Sequence, residues 1–207
     1  MIDWSHLAAG LLADLKGTSA AEALSFALAL AYSVLAVRRS RWCWIAGGLS
    51  SALLIYLAMV ARLPMQAALQ VYYVVISAYG WWHWTREERA QGTLIVTVWP
   101  LRLHLLACAG VILLSAATAR WLALYTQAAW PFLDSLTTLG SLYATWLTTR
   151  VKLENWLYWI VIDSLLAVLF GTQGLMLYAL LSLVYVVVSV VGFSKWLKTF
   201  RTPAHAS

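Results

Sequence analysis

The chain has 207 residues, of which 63% are hydrophobic and 11% are charged. Because soluble domains carry roughly 25% charged residues, this composition excludes an ordinary soluble protein and indicates one embedded in a lipid bilayer. The formal net charge of +6 lies at the ends of apolar segments, which is typical of membrane topology and not of a nucleic-acid-binding surface.

Residues 1–16 precede the first apolar segment. They lack the basic start of a cleavable signal peptide and contain acidic residues at Asp3 and Asp14. Leucines recur there at helical spacing, which predicts a short amphipathic helix resting at the membrane interface. These leucines are Leu7, Leu11, Leu12 and Leu15.

Seven segments are long and apolar enough to cross a membrane as helices, which takes about 20 residues each. They lie at 20–37, 42–61, 65–84, 101–119, 131–149, 154–171 and 174–195. Backbone polar groups must be satisfied inside the bilayer, and the alternating pattern of a β-barrel is missing. The sequence therefore predicts an all-α membrane protein of seven transmembrane helices, with a single domain over residues 1–207.

The basic residues indicate how the helices are oriented. Of the 14 Lys and Arg, 11 fall on one side of the seven-helix arrangement, and only Lys16, Arg62 and Arg120 fall on the other. Cytoplasmic loops of membrane proteins carry the excess of Lys and Arg. We therefore expect the amino terminus on the outer side of the membrane and the carboxyl terminus in the cytoplasm.

The chain contains an internal repeat, because residues 22–84 align with residues 134–196 at a constant offset of 112 without a gap. Each half holds three helices, and one extra helix between them, at 101–119, gives both halves the same orientation. The predicted plan is a 3+1+3 parallel repeat, with units at 20–84 and 131–196 and a site between them. Matched pairs include Glu22–Asp134, Arg38–Arg150, Trp44–Trp156, Tyr73–Tyr185, Ser77–Ser189, Gly80–Gly192 and Trp84–Trp196.

A polar stripe runs along the third segment, where four side chains point within an arc of roughly 80°. These side chains are Gln66, Gln70, Tyr73 and Ser77, and the seventh segment repeats the pattern with Tyr185 and Ser189. Close helix packing through small hydroxyl residues accounts for most of the Ser and Thr residues. A glutamine in the bilayer is more costly, so Gln70 favours a polar cavity.

The sixth segment carries the strongest candidate site. Trp156, Trp159 and Asp163 lie within about 60° of arc on one face, and Asp163 is about 16 Å along the helix from Lys152. No Lys or Arg lies at comparable depth, so an ionised Asp163 needs water or a cationic ligand; a neutral, hydrogen-bonded carboxyl is the alternative. Indole rings stack on flat cationic rings. The pattern favours a site for a cation with a planar ring.

Other chemistry has little support in the sequence. It contains no phosphate-binding glycine loop, no His or Cys metal cluster and no Ser–His–Asp arrangement. The two cysteines, Cys43 and Cys108, lack metal or redox spacing and are interpreted as small buried residues. We therefore expect a protein that is not an enzyme, with no catalytic residues, metal or cofactor.

Three stretches of the chain resemble the PnuC family of nicotinamide riboside transporters. They are residues 153–159, which contain Asn155, Trp156 and Trp159, residues 70–81, and residues 131–135. The resemblance extends from about Glu22 to Trp196. It implies a bacterial inner-membrane vitamin transporter with the 3+1+3 helix plan of an enlarged SWEET fold.

The resemblance also implies a mechanism, a set of partners and a site. The mechanism is facilitated diffusion of an unphosphorylated vitamin without a coupling ion, followed by trapping through a cytoplasmic kinase. Expected partners are the vitamin and the lipid bilayer, but no nucleic acid, and the sequence leaves a homo-oligomer open. The site residues carried over are Asn155, Trp156, Trp159, Asp163, Gln70, Tyr73 and Tyr185.

Three alternatives to nicotinamide riboside transport remain open. Some members of the family have Asn where this chain has Asp163 and Ser77, which keeps thiamine or another B-type vitamin as the alternative substrate. A membrane scaffold without transport activity is opposed by the buried polar stripes, since a scaffold has no reason to bury them. A membrane enzyme is opposed by the missing catalytic residues.

Overall fold

A computed structural model describes residues 17–62, 64–126 and 130–202. Within these ranges the chain forms seven α-helices and no β-strand longer than an isolated bridge. The prediction of an all-α fold with seven helices is confirmed, whereas the predicted amphipathic helix within residues 1–16 lies outside the described residues. The helices are α1 (Ala20–Val37), α2 (Trp42–Val60), α3 (Pro64–Gln91), α4 (Leu101–Tyr125), α5 (Pro131–Thr149), α6 (Asn155–Thr172) and α7 (Met176–Arg201).

Local sequence signals explain where two of the helices begin. Ser19 caps α1, since its hydroxyl accepts a hydrogen bond from the Glu22 amide at 3.2 Å while the Glu22 carboxylate accepts one from the Ser19 amide at 2.7 Å. This reciprocal pair satisfies two amides that a helix start leaves free. At the start of α5, Pro131 occupies the first turn and Asp134 follows it, where a negative charge complements the helix dipole.

Three helices continue further than their apolar segments predict: α3 to Gln91, α4 to Tyr125 and α7 to Arg201. The prediction ended each segment where apolar residues give way to charged ones, but a helix continues into water when its polar residues find partners. In the extension of α3, Glu88 pairs with Arg41 at 3.1 Å and Glu87 lies 3.5 Å from His83, one turn away. The added turns of α3 therefore lie beyond its apolar part, whereas the added residues of α4 after Arg120 are apolar.

The seven helices differ in how apolar they are. By length and composition, five of those described are suited to crossing a membrane, namely α1, α2, α4, α6 and α7. The other two, α3 and α5, carry the polar stripes and contact one another inside the bundle. A helix that is surrounded by other helices tolerates more polar residues than one that faces lipid.

The two halves of the chain share local backbone geometry at the predicted offset. Arg39 and Val151 both have left-handed backbones, with φ of 54° and 52°, just after α1 and α5. Arg62 and Gly174, just after α2 and α6, have φ of 57° and 76°. Each pair is 112 residues apart, so both halves turn between helices in the same way. This agreement supports the predicted two-unit plan.

Side-chain packing follows the same offset. Trp44 lies flat against Gly80, and a Cβ atom added to Gly80 would overlap the indole ring. Trp156 lies against Gly192 in the same way, and a Cβ atom there would come within 2.7 Å of the ring. The absence of a side chain at each glycine therefore leaves room for a tryptophan of the preceding helix. Helix α2 packs against α3 in this way, and α6 packs against α7.

Hydrogen bonds join the two halves at one end of the bundle. The Trp84 indole donates to the Thr149 carbonyl at 3.0 Å, and the Trp196 indole donates to the Val37 carbonyl at 3.3 Å. The C-terminal ends of α1 and α5 therefore lie at the same end of the bundle, which is the arrangement expected of like-oriented units. We call this end, which also carries Arg38 and its counterpart in the second half, the basic end.

A strap between α3 and α4 crosses the basic end. Thr97 pairs with the turn after α5, through its amide to the Val151 carbonyl at 3.1 Å and its carbonyl to the Leu153 amide at 2.9 Å. Arg39, in the turn after α1, donates to the Leu94 carbonyl at 2.8 Å. Burial lowers the pKa of the Arg39 guanidinium, which still stays charged at neutral pH. The strap thus contacts the equivalent turns of both halves.

Candidate functional site

A cavity of about 320 Å³ lies between α1, α3, α5, α6 and α7. Helix α6 supplies one wall, because Trp156, Trp159 and Asp163 fall on a single face, and α3 and α7 supply equivalent tyrosines. Residues from both halves therefore meet around one space. Six of the nine predicted site residues line it: Tyr73, Asn155, Trp156, Trp159, Asp163 and Tyr185.

Asp163 is the acidic residue in the wall of this cavity. Only 5% of its surface is exposed, so the carboxylate is held away from lipid. Across residues 17–62, 64–126 and 130–202, no side chain or backbone group donates a hydrogen bond to it or forms an ion pair with it. A buried carboxylate without a partner is costly unless a bound cation, water or a proton balances it. Asp163 is therefore suited to a positively charged ligand.

The two tryptophans of α6 have different surroundings. Trp156 is 4% exposed and is held by Gly192 and by an edge-to-face contact with Trp196, at 5.4 Å between ring centroids. Trp159 is only half-buried and faces the cavity. A ligand ring therefore stacks more readily on Trp159, while Trp156 forms part of the cavity floor.

Asn155 is fully buried at the start of α6. Its amide nitrogen donates to the Lys152 carbonyl at 2.6 Å, and its amide oxygen accepts from the Thr148 hydroxyl at 3.2 Å. These bonds hold the tight turn between α5 and α6. Asn155 lines the cavity, but its amide group is engaged mainly in hydrogen bonds within this turn. Because the turn leads directly into α6, Asn155 helps to position Trp156 and Trp159.

Two tyrosines related by the repeat reach the cavity from opposite halves of the bundle. Tyr73 lies on α3 and Tyr185 lies on α7, and both are half-buried and line the cavity. Tyr73 also packs edge-to-face against Tyr72, at 5.5 Å between ring centroids. The two phenol groups give the site hydrogen-bonding partners for a neutral polar part of a ligand, such as a sugar.

The remaining predicted residues lie outside the cavity lining. Gln66 is exposed, and Gln70, although buried, is not part of the wall. Ser77 packs toward α2, where a Cβ atom on Gly47 would meet its hydroxyl at 3.5 Å. The stripe on α3 therefore divides, since Tyr73 faces the cavity while Ser77 serves close helix packing, as small residues do in membranes.

The hydroxyl groups of α5 bond mainly within their own helix. Ser141 donates to the Thr137 carbonyl at 2.7 Å, Thr145 to the Ser141 carbonyl at 2.7 Å, and Thr148 to the Ala144 carbonyl at 2.9 Å. A hydroxyl that returns to the preceding turn needs no ligand to satisfy it. Ser141 and Thr148 nevertheless border the cavity and leave acceptor oxygens there.

Three further aromatic residues, none of them among the nine predicted site residues, complete the wall. Tyr32 comes from α1, Phe170 from α6 and Tyr178 from the start of α7. Tyr178 contacts Phe170 and Phe26, each at 5.6 Å between ring centroids. Tyr32 and Phe170 are aromatic residues in apolar helices and carry no polarity signal, whereas Tyr178 belongs to the polar stripe of the seventh segment.

The cavity is closed toward the basic end by tryptophans. Trp44 contacts Trp84 at 5.3 Å, Trp84 contacts Trp196 at 6.3 Å, and Trp196 contacts Trp156 at 5.4 Å, measured between ring centroids. We call these four residues the tryptophan floor. The indole N–H groups of Trp44 and Trp156 are buried and find no acceptor among the described residues. Of the four, Trp156 lines the cavity, and the other three pack behind it at the basic end.

A second cavity, of about 510 Å³, lies between α4, α5 and α6. Its walls are almost entirely apolar, apart from a cluster in which His104 contacts the Glu154 carboxylate at 3.2 Å and the Tyr158 hydroxyl at 3.0 Å. It contains none of the predicted substrate residues. An apolar space of this kind suits lipid chains better than a polar vitamin. Within the described part of the chain, no cluster of His, Cys, Asp and Glu is suited to a metal ion.

Comparison with known proteins identifies the family of this chain. Residues 19–198 match the model of a family described as nicotinamide mononucleotide transporters. The riboflavin/roseoflavin transporter RibM of Streptomyces davaonensis is 29% identical over 165 residues, which cover 77% of this chain and 75% of RibM. The nicotinamide riboside transporter PnuC of Escherichia coli is 27% identical over 158 residues, which cover 64% of this chain and 66% of PnuC.

The fold has a counterpart among solved structures. A crystal structure of the vitamin B3 transporter PnuC superimposes with a TM-score of 0.71. The superposition covers 96% of this chain and 89% of that one, at 21% sequence identity. The likeness extends over nearly the whole helical bundle, so the arrangement of the seven helices is that of the vitamin transporter.

Proposed function

The chain belongs to the nicotinamide mononucleotide transporter family, and from that premise we propose that it carries nicotinamide riboside across the bacterial inner membrane. It is a vitamin transporter of the PnuC type. We propose further that transport occurs by alternating access and facilitated diffusion. The basic end is proposed to face the cytoplasm, because cytoplasmic loops carry the excess of Lys and Arg.

One observation carries the choice of substrate. Asp163 is buried in an aromatic-walled cavity and has no counter-charge among the described residues. Nicotinamide riboside consists of a flat pyridinium cation joined to a ribose. The pyridinium stacks on Trp159 and balances the Asp163 carboxylate, while Tyr73 and Tyr185 meet the ribose hydroxyls.

Transport is proposed to occur by alternating access between two like-oriented units, α1–α3 and α5–α7. The tryptophan floor closes the cavity at the basic end, so the substrate enters from the other end. Opening toward the cytoplasm requires the hydrogen bonds between the halves at the basic end to break, which include Trp84 to Thr149 and Trp196 to Val37. Rocking of one unit against the other around a central site is the usual route in repeat-built transporters.

The energetics of this scheme are those of facilitated diffusion. A carrier without a coupled ion only equalises the concentration of vitamin on the two sides of the membrane. Net accumulation then requires the vitamin to be modified after entry. We propose that a cytoplasmic kinase phosphorylates nicotinamide riboside, because the added negative charge makes the product a poor ligand for a site with an unpaired carboxylate.

Two other vitamins are candidates for specific reasons. Thiamine carries a cationic thiazolium and a second flat ring, so Asp163 and Trp159 suit it on the same grounds. Riboflavin is suggested by the relationship to RibM at 29% identity, but its ring is neutral and gives Asp163 no counter-charge. The unpaired carboxylate therefore favours the two cations.

The test is counterflow in proteoliposomes that contain the purified protein and no ion gradient. Labelled nicotinamide riboside, thiamine and riboflavin are compared side by side. Saturable exchange of nicotinamide riboside above the other two supports the proposal, and preference for thiamine or riboflavin reassigns the substrate. Absence of exchange for all three contradicts vitamin transport.

A further inference from the structure

Gly47, on α2, is under a steric constraint that its neighbour does not share. A Cβ atom added to Gly47 would lie 2.9 Å from Cδ2 and 3.5 Å from Cε2 of the Tyr32 ring. At Gly48 the nearest atom to an added Cβ is the Ser77 Cβ at 3.5 Å, an ordinary contact. Of these two adjacent glycines, only Gly47 is needed to make room for an aromatic ring.

The Tyr32 ring lies between this glycine and the cavity. It extends from α1, lines the cavity, and packs edge-to-face against Trp44 at 5.7 Å between ring centroids. Trp44 is fixed in turn against Gly80. Because α2 and Trp44 are tightly packed, the cavity is the open space into which the Tyr32 ring can move. Any group that grows from Gly47 therefore narrows the cavity.

The internal repeat gives an independent argument for this pair. At the offset of 112, Gly47 corresponds to Trp159 and Tyr32 corresponds to Ala144. In the first half, α1 carries the large residue Tyr32 and α2 carries Gly47. In the second half, the equivalent helix α5 carries the small residue Ala144 and α6 carries Trp159. The large ring beside the cavity comes from α1 in one half and from α6 in the other. This exchange leaves a single off-centre cavity between Tyr32 and Trp159, both of which line it.

We propose that Gly47 is a positioning residue that sets the width of the vitamin cavity by allowing Tyr32 to lie back against α2. The identity of the ligand rests on the proposed function, whereas the steric relationship does not. Gly47 thereby determines the size of flat ring that fits between Tyr32 and Trp159. A larger residue at position 47 moves Tyr32 toward Trp159 and disfavours wide rings first.

The test is a double-mutant cycle on purified protein, with the dissociation constant of nicotinamide riboside as the readout. We expect Gly47→Ala to weaken binding about tenfold, the scale of an overpacked contact. The matched control Gly48→Ala is expected to stay within about twofold. In a Tyr32→Leu background, adding Gly47→Ala is expected to change the constant less than about twofold, because the clashing ring is gone. In a Tyr32→Phe background, adding Gly47→Ala is expected to weaken binding about tenfold again, because the aromatic ring that clashes is kept.

Equal losses in the Tyr32→Leu and Tyr32→Phe backgrounds overturn the proposal, as does unchanged binding by Gly47→Ala. A crystal structure of Gly47→Ala supplies a second readout that needs no ligand: the Tyr32 ring is expected to be displaced toward Trp159. An unmoved ring overturns the inference even if wild-type protein binds no vitamin, in which case the proposed function fails separately. If Gly47→Ala alone does not fold, recovery of folded protein by Tyr32→Leu supports the clash, and no recovery overturns it.

Discussion

At the scale of single residues, the proposed site depends on two residues one helical turn apart, Trp159 and Asp163. Both line the same cavity; Trp159 is only half-buried, and the buried Asp163 carboxylate has no hydrogen-bond partner among the described residues. Trp156, by contrast, is held between Gly192 and Trp196. A polar group without a hydrogen-bond partner, or an aromatic face without a packing partner, can gain that partner from a bound ligand.

The charge of Asp163 is tested by Asp163→Asn, which keeps the shape and removes the charge. We expect affinity for nicotinamide riboside to fall at least about tenfold, because an amide does not balance a pyridinium. Affinity for the neutral, reduced dihydronicotinamide riboside is expected to change much less. Isothermal titration with both ligands measures the difference, and Asp134→Asn, an exposed carboxylate outside the cavity, is the control. Equal losses for the two ligands would rule out charge pairing.

The stacking role of Trp159 is tested by Trp159→Ala in proteoliposomes. Loss of the indole removes the largest flat surface of the wall, and we expect saturable uptake of nicotinamide riboside to be abolished while the protein elutes as a folded species in gel filtration. Trp121→Ala, which changes a tryptophan that is 55% exposed on α4, should leave uptake intact. Normal uptake by Trp159→Ala would remove α6 from the substrate site.

Polarity was the signal that made some residues predictable from the sequence and left others out. Asp163 stands out because a carboxylate inside an apolar helix is rare and needs a reason. Tyr32 gave no such signal, since a tyrosine in an apolar helix is equally common at a lipid-facing position. Gln66 and Ser77 were predicted from helical phase alone. Phase gives a direction on one helix and does not tell whether a cavity or another helix lies there.

At the scale of helices, the pairs α2–α3 and α6–α7 share one packing device. A tryptophan near the start of one helix, Trp44 or Trp156, lies flat on a glycine of the next, Gly80 or Gly192. The close approach lets the tryptophan floor form without a gap. The device explains why both glycines recur at the same offset in otherwise different sequences.

Replacing one of these glycines tests the device. Gly192→Ala places a methyl group 2.7 Å from the Trp156 ring, and an overpacked contact of this kind costs about 1–3 kcal/mol. We expect a lower thermal unfolding midpoint in detergent, followed by intrinsic fluorescence. The control is Gly110→Ala on α4, where an added Cβ meets nothing within 4 Å, and alanine favours the helix by about 1 kcal/mol. An equal or higher midpoint for Gly192→Ala would contradict the packing.

Helix limits were predictable where the chain changes character sharply. Segments 20–37 and 131–149 agree with α1 and α5, because Ser19 and Pro131 mark the starts and basic turns mark the ends. Helices α3, α4 and α7 end later than predicted: the last turns of α3 and α7 are charged, and those of α3 are stabilised by ion pairs. The strap between α3 and α4 was missed as well, because its backbone pairing with Val151 depends on residues far away in the sequence.

At the scale of the whole molecule, helices from α1–α3 and α5–α7 surround one cavity, and we propose that these two groups are like-oriented units joined by α4. The halves meet through α1 with α7 and through α3 with α5, which are equivalent contacts under exchange of the units. Hydrogen bonds between the halves lie at the tryptophan floor and between α3 and α5, where the Tyr72 hydroxyl donates to the Leu142 carbonyl at 3.1 Å. Under the proposed mechanism, the contacts at the floor open while each unit keeps its own packing.

Weakening the floor should raise its rate of opening, and Cys43 offers a native reporter. Cys43 is fully buried within the same cluster as Trp44 and Trp84. In a Cys108→Ser background, Trp84→Phe removes the hydrogen bond to the Thr149 carbonyl, a loss of about 1 kcal/mol or about fivefold in the open population. We expect maleimide labelling of Cys43 in inverted vesicles to accelerate by that factor. Trp82→Phe, at an exposed position, should not change it, and equal rates for all variants would exclude the floor as the barrier.

The most direct test of the account is a structure of the protein with nicotinamide riboside bound. We predict the pyridinium ring stacked on Trp159, with the Asp163 carboxylate within about 4 Å of the ring, the range of a close ion pair. The ribose is expected between Tyr73 and Tyr185. A vitamin bound instead in the apolar cavity beside α4, with Asp163 turned away from it, would contradict the account.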